Sequence, residues 1–319
     1  MTVLNIGVIG VGGVGEKVMK AFIEHPETIV KGVYDVSKER ALEIAEKYDV
    51  VNFEKCEELF KQEDIDLIYI AVPPKYHHRF VMEAIQHDKH VFCEKPLASN
   101  LEEAQEMQRE AEQRGLLTSI NFPTIHKQEF KMIEKLLHEN FIGDLRRVEV
   151  HCHFQDWPRP WQKNAWISSR EQGGFTREVL PHYIQMIQML FGDIKIVHKT
   201  VEYALDSSKC ETGMIAFGEV NEGVHILLHG SVNLGMSEKL QFTIYGTEGS
   251  MSLVDWSQLW ISRKGQRPEK MELPAENHIH AFIDQLVKSF KGEEARIVSF
   301  KDGCAVQAVL DDLLIQEDY

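Results

Sequence analysis

The strongest constraint on the fold lies in the first 25 residues, where a short strand-like run leads directly into a cluster of glycines. Asn5–Ile9 is rich in β-branched residues, and the segment 10–15 that follows, GVGGVG, fits the spacing G-x-G-x-x-G. Glu16–His25 then shows the apolar spacing of a helix. Strand, glycine spacing and helix in succession are typical of a βαβ unit whose loop backbone approaches a pyrophosphate at the helix N-terminus. The sequence therefore predicts a dinucleotide-binding unit at the start of the chain.

An acidic residue at the end of the next strand-like run supports this interpretation. Asp35 follows Val30–Tyr34 and lies 20 residues beyond Gly15. At that spacing a carboxylate reaches the adenosine ribose hydroxyls, and it repels a 2′-phosphate, which favours NAD over NADP. Lys38 and Arg40 follow closely enough to bind such a phosphate instead, so NADP stays the alternative.

The pattern of segments changes near residue 121. Before it, strand-like and helix-like segments alternate, which predicts an α/β fold with a doubly wound parallel sheet. After it, strand-like runs recur with few helices between them, which predicts a mainly antiparallel sheet. We expect a cofactor-binding Rossmann domain at 1–120 and a substrate-binding α/β domain at 121–319, whose last helices can pack back on the first domain.

Composition excludes several classes of partner and site. The 35 Lys and Arg against 50 Asp and Glu give a net charge of −15, which opposes binding to nucleic acid or anionic membranes. The five cysteines are widely spaced without a CxxC pair, so neither a disulfide framework nor a zinc finger is expected. We see no signal peptide and no apolar run near the ~20 residues of a membrane span. The expected location is the cytoplasm, and the expected partner is a small molecule.

A second set of motifs resembles a known enzyme family. Residues 64–97 contain DIDLIYIAVPP, then His77, then KHVFCEKPL, and the combination resembles the Gfo/Idh/MocA oxidoreductases, named for glucose–fructose oxidoreductase and inositol dehydrogenase. The resemblance spans nearly the whole chain and resumes at 173–182, 245–250 and 299–303. The EKP element at 94–96, combined with the glycine spacing, is its specific part.

This resemblance implies a fold, an activity and an assembly. Its members pair an N-terminal Rossmann domain with a C-terminal α/β domain built on a large open sheet, which commonly joins copies into a homodimer or homotetramer. The implied reaction is hydride transfer between NAD or NADP and a secondary alcohol or ketone of a sugar, polyol or related cyclic compound. Two alternatives stay open: a cofactor-binding regulator without turnover, and an enzyme for an aromatic-derived substrate, similar to biliverdin reductase or dihydrodiol dehydrogenase.

The resemblance also assigns catalytic residues. Lys95 matches the lysine that contacts substrate near the nicotinamide, where a cation stabilises the alkoxide as hydride leaves. His182 matches the general acid/base, and an imidazole pKa of about 6.5 suits proton exchange with a hydroxyl. Glu178 stands where the family usually has aspartate, four residues before His182. Pro181 disfavours one continuous helix there, so we expect the pair to meet through a bend.

Binding residues follow by the same matching. Asn121, Trp161 and Arg177 are the candidate substrate-binding residues, although the arginine that usually follows the family asparagine is absent. The tryptophans around Trp161 are interpreted either as a platform for a ring or as packing residues. Pro96 matches a position that is often cis. The candidate cofactor-binding residues are Gly10, Gly12, Gly13, Val14, Gly15, Asp35, Val72, Pro73, His77, Glu94 and Lys95.

One further cluster suggests a metal. His151 and His153 alternate with Cys152 and so share one face of a predicted strand. Zinc chemistry needs at least three ligands, and no third ligand is evident nearby in the sequence. We therefore predict no metal site.

Overall fold

The computed structural model describes residues 3–162, 164–220 and 223–315. The chain divides into two compact units. Unit 1 comprises Met1–Pro123 and Asn277–Gln307, and unit 2 comprises Thr124–Glu276 and Ala308–Tyr319. None of the helices in the described ranges combines the length and apolar character needed to cross a lipid bilayer.

The elements are numbered in chain order. The strands are β1 (Leu4–Ile9), β2 (Thr28–Tyr34), β3 (Val51–Asn52), β4 (Leu67–Ile70), β5 (His90–Cys93), β6 (Thr118–Ile120), β7 (Leu145–His153), β8 (Lys195–Tyr203), β9 (Glu211–Val220), β10 (Val224–Ser231), β11 (Lys239–Gly246), β12 (Gly249–Val254), β13 (Gln258–Arg263) and β14 (Glu269–Met271). The α-helices are α1 (Gly13–Glu24), α2 (Lys38–Tyr48), α3 (Cys56–Phe60), α4 (His77–Gln86), α5 (Leu101–Gln113), α6 (Gln128–His138), α7 (Phe175–Glu178), α8 (Leu180–Phe191), α9 (His278–Phe290) and α10 (Phe300–Leu314). Short 3₁₀ helices lie at Pro74–Tyr76, Pro123–His126 and Ala165–Ser168.

The sheet of unit 1 has six parallel strands in the order β3-β2-β1-β4-β5-β6. Its central strands are almost wholly apolar and buried, as a parallel sheet covered on both faces requires. The strand order reverses between β1 and β4, which is the doubly wound Rossmann topology. In such sheets ligands bind outside the carboxyl ends of the strands at this switch point.

Aromatic side chains fill one side of this sheet. Tyr69 of β4 stacks on Phe92 of β5 with ring centroids 4.6 Å apart, and Phe22 of α1 meets both rings edge-on. Phe282 of α9 lies 5.0 Å from Phe92, so this late helix covers the same core. Helix boundaries follow local chemistry, since the Asn100 side chain accepts the Glu103 N–H at 2.9 Å and caps α5.

Unit 2 is built on an eight-stranded sheet in the order β14-β13-β12-β11-β7-β10-β9-β8. The β7–β10 pair is parallel and the remaining neighbours are antiparallel. The predicted fold class, a doubly wound parallel sheet followed by a mainly antiparallel one, is confirmed.

The two faces of this second sheet differ in environment. On β7, Val148, Val150 and Cys152 are buried, whereas the alternating residues point to the other, partly exposed face. Tyr183 of α8 packs at 6.2 Å from the Phe242 ring of β11, and Phe242 pairs with Val150 across the sheet. Helix α8 therefore covers the buried face, and the opposite face is left open by it.

Candidate active site

The residues predicted to bind a cofactor lie at the carboxyl ends of neighbouring strands in unit 1. The glycine segment follows β1, Asp35 follows β2, Val72 follows β4, Lys95 follows β5 and Asn121 follows β6. Because these strands are parallel, their carboxyl ends share one edge of the sheet. The fold thus places on one edge residues that are up to 111 positions apart in sequence, Gly10 and Asn121.

The glycine segment forms a tight turn between β1 and α1. Gly10 has φ +91°, a region open to glycine, and its N–H donates to Tyr34 O at 2.8 Å. A Cβ on Gly15 would lie 2.1 Å from Gly10 O, so glycine is required for the helix to begin this close to the strand. Around Gly12 and Gly13, an added Cβ would meet no atom of the described residues within 4 Å. That open backbone at the start of α1 fits a pyrophosphate.

Two substitutions separate the packing role of this loop from its binding role. Gly15→Ala forces Cβ onto a backbone oxygen, so we expect it to destabilise the fold by about 1–3 kcal/mol. Gly12→Ala has room in the protein, so the melting temperature should be unchanged, while NADH affinity falls about tenfold or more through the lost approach to phosphate. Thermal melts and NADH fluorescence titrations measure both. Wild-type NADH affinity in Gly12→Ala would show that phosphate does not bind this loop.

Asp35 and Arg40 hold this loop from the β2 side. The Asp35 carboxylate accepts the Val11 N–H at 2.8 Å and the Ser37 N–H at 2.9 Å. The Arg40 Nε donates to Val11 O at 3.1 Å, and its two terminal nitrogens pair with Glu16 and Glu43. The Arg40 guanidinium is thus already neutralised by two carboxylates beside the loop.

Glu16, in the first turn of α1, is the centre of that charge network. Its carboxylate accepts hydrogen bonds from Lys47 Nζ at 2.7 Å, Tyr48 OH at 2.9 Å and Arg40 Nη2 at 2.5 Å. These contacts, that of Lys47 foremost, lower the pKa of Glu16 from 4.5 to about 2 against the opposing effect of burial. A carboxyl whose folded pKa is depressed stabilises the protein above its unfolded pKa and loses that effect as pH falls.

Glu16→Gln should therefore lower the free energy of unfolding at neutral pH by about 1 kcal/mol. The difference from wild type should shrink as pH falls from 4.5 to about 2, because the wild-type carboxylate is then protonated too. Denaturant unfolding at a series of pH values measures this trend. Glu43→Gln is the matched control, since Glu43 pairs with the same guanidinium but is 61% exposed. An equal, pH-independent loss in both variants would contradict the account.

A buried polar network centred on Glu94 holds the EKP element in place. Glu94 is 9% exposed, and its Oε1 accepts hydrogen bonds from Tyr69 OH at 2.7 Å and Asn121 Nδ2 at 2.5 Å. Burial raises the pKa of Glu94, and the two donors oppose that rise. Lys95 follows directly and is partly exposed, and the Lys95–Pro96 peptide bond is cis. Asn121 thus supports Glu94, and Tyr69 is a contributor that the sequence analysis missed.

His77 joins the two loops that flank this element. Its Nδ1 lies 2.8 Å from Pro96 O and its Nε2 lies 2.8 Å from Val72 O. The ring is fully buried, and burial lowers the pKa of His77. Both partners are carbonyl oxygens, so a neutral imidazole, which has one N–H, donates to one of them at a time. The loops after β4 and β5 are held together through this ring.

The predicted acid/base pair lies in unit 2, on two consecutive helices. Glu178 is the last residue of α7, and His182 is in the first turn of α8. Val179 separates the helices, with Pro181 at the start of the second. The interruption lies at Val179, and Pro181 itself is helical, in the first turn of α8. Among mostly buried neighbours, Arg177, Glu178 and His182 keep part of their surface exposed.

Trp256, which the sequence analysis missed, packs against this helix start. Its ring lies 5.5 Å from the His182 ring in an edge-to-face arrangement and stacks on Tyr183 at 4.4 Å. Its backbone has φ +63°, and its carbonyl accepts Lys127 Nζ at 2.8 Å. A left-handed tryptophan is uncommon, and its rigid placement limits the orientations of the imidazole.

A buried carboxylate holds the start of α7. Glu211 is 1% exposed, and its Oε1 accepts the Thr176 N–H at 2.7 Å. Gly174 has φ +96°, and a Cβ there would lie 2.2 Å from Glu211 Oε2. Burial raises the pKa of Glu211, while the Thr176 contacts lower it. The Gly173-Gly174 motif therefore lets a carboxylate approach the helix that carries Arg177 and Glu178.

The predicted substrate-binding residues of unit 2 have distinct surroundings. The Arg177 Nη1 donates to Arg170 O at 3.2 Å and Gly173 O at 3.3 Å. Trp161 is 70% exposed, and the Arg159 guanidinium lies 5.8 Å from its ring centre. Trp157 instead packs edge-on against Phe154 and Phe175. In this tryptophan-rich stretch, Trp157 is therefore a packing residue, whereas Trp161 is exposed.

A third histidine lies next to His151 and His153 in space, although none is near them in the sequence. His229 of β10 lies beside them, with its Nδ1 3.3 Å from His153 Nε2. No local sequence pattern shows this, because His229 is 76 residues from His153 and is brought beside it by parallel pairing of β10 with β7.

The chain is similar over most of its length to several known proteins. Bacillus subtilis scyllo-inositol 2-dehydrogenase (NADP(+)) IolU is 25% identical over 276 residues, which cover 85% of this chain and 79% of that protein. KijD10, a 3-ketoreductase from Actinomadura kijaniata solved with NADP and TDP-benzene, is 21% identical with a TM-score of 0.87 over 98% of this chain and 97% of that one. Levoglucosan dehydrogenase solved with NADH and L-sorbose is 20% identical with a TM-score of 0.87, over 98% and 96%.

Family models cover both halves of the sequence. Residues 4–122 match the model described as oxidoreductase family, NAD-binding Rossmann fold. Residues 130–252 match the Gfo/Idh/MocA C-terminal domain. The glycine loop, the EKP element and the carboxylate-supported α7 all lie within these matched segments. The chain belongs to the Gfo/Idh/MocA oxidoreductase family.

Proposed function

We propose that this protein transfers a hydride between NAD and a secondary alcohol or ketone of a sugar, polyol or related cyclic compound. The observation that carries the proposal is the shared carboxyl edge of the six-stranded sheet, where the glycine loop, Asp35 and Lys95 lie at the ends of adjacent parallel strands. Relatives whose names specify a scyllo-inositol 2-dehydrogenase and a dTDP-3,4-didehydro-2,6-dideoxy-α-D-glucose 3-reductase support this substrate class.

Each catalytic group has one role. The bound nicotinamide supplies or accepts the hydride. The Lys95 ammonium stabilises negative charge on the substrate oxygen. The hydrogen bonds of Glu94 to Tyr69 and Asn121 hold the neighbouring backbone in place. His182 takes the hydroxyl proton in oxidation and returns it in reduction. Glu178 favours the imidazolium by its charge, and Arg177 and Asn121 contribute polar contacts to substrate hydroxyls.

Within this proposal residues 1–120 bind the cofactor, and 121–319 bind substrate and join copies of the chain. The face of the unit 2 sheet left open by α8 carries exposed apolar side chains at Val197, Ile215, Phe217 and Tyr245. Their exposure, between 39% and 60%, supports a homodimer or homotetramer through this sheet. The proposed location is the cytoplasm.

Asp35 is expected to set the choice of cofactor. Its carboxylate, fixed beside the loop by the Val11 and Ser37 N–H groups, repels a 2′-phosphate, and Arg40 is neutralised by Glu16 and Glu43. Wild type should prefer NADH to NADPH, and Asp35→Ser should shift the ratio of dissociation constants toward NADPH by about tenfold or more. Fluorescence titration with both nucleotides measures it. If wild type instead prefers NADPH, Arg40 binds the 2′-phosphate and Asp35 does not exclude it.

A substrate screen tests the activity itself. Purified protein is incubated with a panel of polyols, sugars, ketoses and an aromatic dihydrodiol, with NAD and NADP in parallel, and the nicotinamide absorbance is followed. We expect turnover of at least one polyol or sugar, faster with NAD. Tight NADH binding with no turnover of any compound would favour a non-catalytic regulator.

A further inference from the structure

Three histidines meet on the face of the unit 2 sheet that α8 leaves open. His151 of β7 pairs directly with His229 of β10, and His153 lies two residues further along β7. The ring centroids are 4.8 Å apart for His153 and His229, 5.7 Å for His151 and His229, and 5.9 Å for His151 and His153. One ligand nitrogen of each ring lies within 4.8 Å of those of the other two.

One pair of these nitrogens has the spacing of a tetrahedral metal site. With metal–nitrogen bonds of 2.0–2.1 Å, adjacent ligand nitrogens are separated by about 3.3 Å. The His153 Nε2 to His229 Nδ1 distance is 3.3 Å. The register of β7 and β10 brings the three rings to one face of the sheet, and either a hydrogen bond or a shared cation would account for the short contact between His153 and His229. A cation held among the three rings would use one nitrogen of each as a ligand.

An acidic neighbour of the cluster suits a bound cation. The Glu149 carboxylate lies 3.2 Å from His151 Nε2. Metal-bound histidines commonly give their second N–H to such a carboxylate, which fixes the ring. Two further charged residues lie near the cluster. Lys239, which is positive, pairs with His153 across the sheet, and Glu202, which is negative, is near His229.

We propose that His151, His153 and His229 bind one divalent d-block cation of the zinc class per chain, with water at the fourth position. An all-imidazole set suits zinc, cobalt, nickel or copper and disfavours magnesium and calcium, which prefer oxygen ligands. Because β7 and β10 supply the ligands, the ion ties these two strands together. The site lies on the sheet face opposite α8, so it is independent of His182 and of the hydride chemistry.

Metal titration of full-length protein without an affinity tag tests this site. After chelator treatment, Zn²⁺ is titrated by calorimetry and Co²⁺ by its visible absorption, which is intense for tetrahedral sites. We expect one equivalent per chain, unaffected by excess Mg²⁺, and an affinity about 100-fold lower in His229→Ala. His225→Ala is the matched control, because His225 lies on the same strand and face but its side chain is 66% exposed. Its metal affinity should match that of wild type.

Several results would overturn the proposal. Absence of saturable binding in wild type would do so, as would an equal loss in His225→Ala and His229→Ala, which indicates adventitious surface binding. Half an equivalent per chain would place the ion between two copies. If His229→Ala fails to fold, His153→Gln replaces it as the test variant. The Co²⁺ spectrum of the wild-type protein reports the coordination geometry without either variant.

Discussion

Replacing His182 by asparagine is expected to lower kcat by about 10²–10⁴-fold while NADH affinity stays at the wild-type level. Asparagine keeps a polar amide at the position but cannot exchange a proton near neutral pH. The Trp256 ring at 5.5 Å limits how far the replaced side chain can move, so the loss should reflect chemistry more than repacking. Steady-state kinetics with the best substrate from the screen measure the effect.

The pH–rate profile distinguishes an acid/base role from a structural one. In wild type, the oxidation rate should fall at low pH as the base becomes protonated, and this limb should be absent in His182→Asn. The control is His225→Asn, an exposed histidine of the same unit on the opposite sheet face. A profile of wild-type shape in His182→Asn, whatever its amplitude, would contradict the assignment.

Lys95→Ala is expected to lower kcat by about 10²–10³-fold, the range found when one group that stabilises a developing oxyanion is removed. The effect on kcat should exceed the effect on NADH affinity, because the ammonium acts mainly on the substrate oxygen. Lys95→Arg should recover part of the activity, since it restores the charge on a longer side chain. Rapid-mixing kinetics and NADH titration separate the two effects.

The residues around Lys95 hold its backbone in place, so the substitution tests the side chain alone. Glu94 is held by Tyr69 and Asn121, and His77 contacts the Pro96 carbonyl, so the segment keeps its shape without the lysine head group. Lys301→Ala, at an exposed position on α10, controls for the loss of a positive charge. Equal rates in Lys95→Ala and wild type would remove the lysine from the mechanism.

The parts of the fold that the sequence predicts best are those set by local chemistry. The strand, turn and helix around Gly10 are readable because a positive φ at Gly10 and the contact at Gly15 require glycine at those positions. The predicted helix start at Glu16 is three residues late, because α1 begins inside the glycine segment at Gly13. The break between Glu178 and His182 is readable from Pro181.

Other features depend on contacts between distant segments. Helix α10 begins at Phe300 and contains a glycine, Gly303, near its start. Glycine lowers the helix propensity there, yet a Cβ at Gly303 would overlap the end of the Ile120 side chain, so a larger residue would have to displace that side chain. Local propensity cannot reveal that contact.

The buried polar groups of the site show the same limit. Glu94 is recognised from its motif, but Tyr69 looks like any other residue of an apolar strand in the sequence. Its hydrogen bond to Glu94 becomes visible only when β4 and β5 are paired. Glu211 lies 35 residues from its partner Thr176, and no local pattern links them. His229 reaches His151 through strand register alone. Sequence reasoning found the groups that belong to motifs and missed those that are brought in by pairing.

Transfer of deuterium tests the central claim most directly. Protein is incubated with the ketone or ketose panel and NADH deuterated at the nicotinamide C4 on the transferred face, and products are analysed by mass spectrometry. The account predicts one deuterium on the newly formed carbinol carbon with wild type, and a rate about 10²–10⁴-fold lower with His182→Asn. Labelled cofactor that binds tightly but passes no deuterium to any sugar, polyol or cyclic ketone would contradict it.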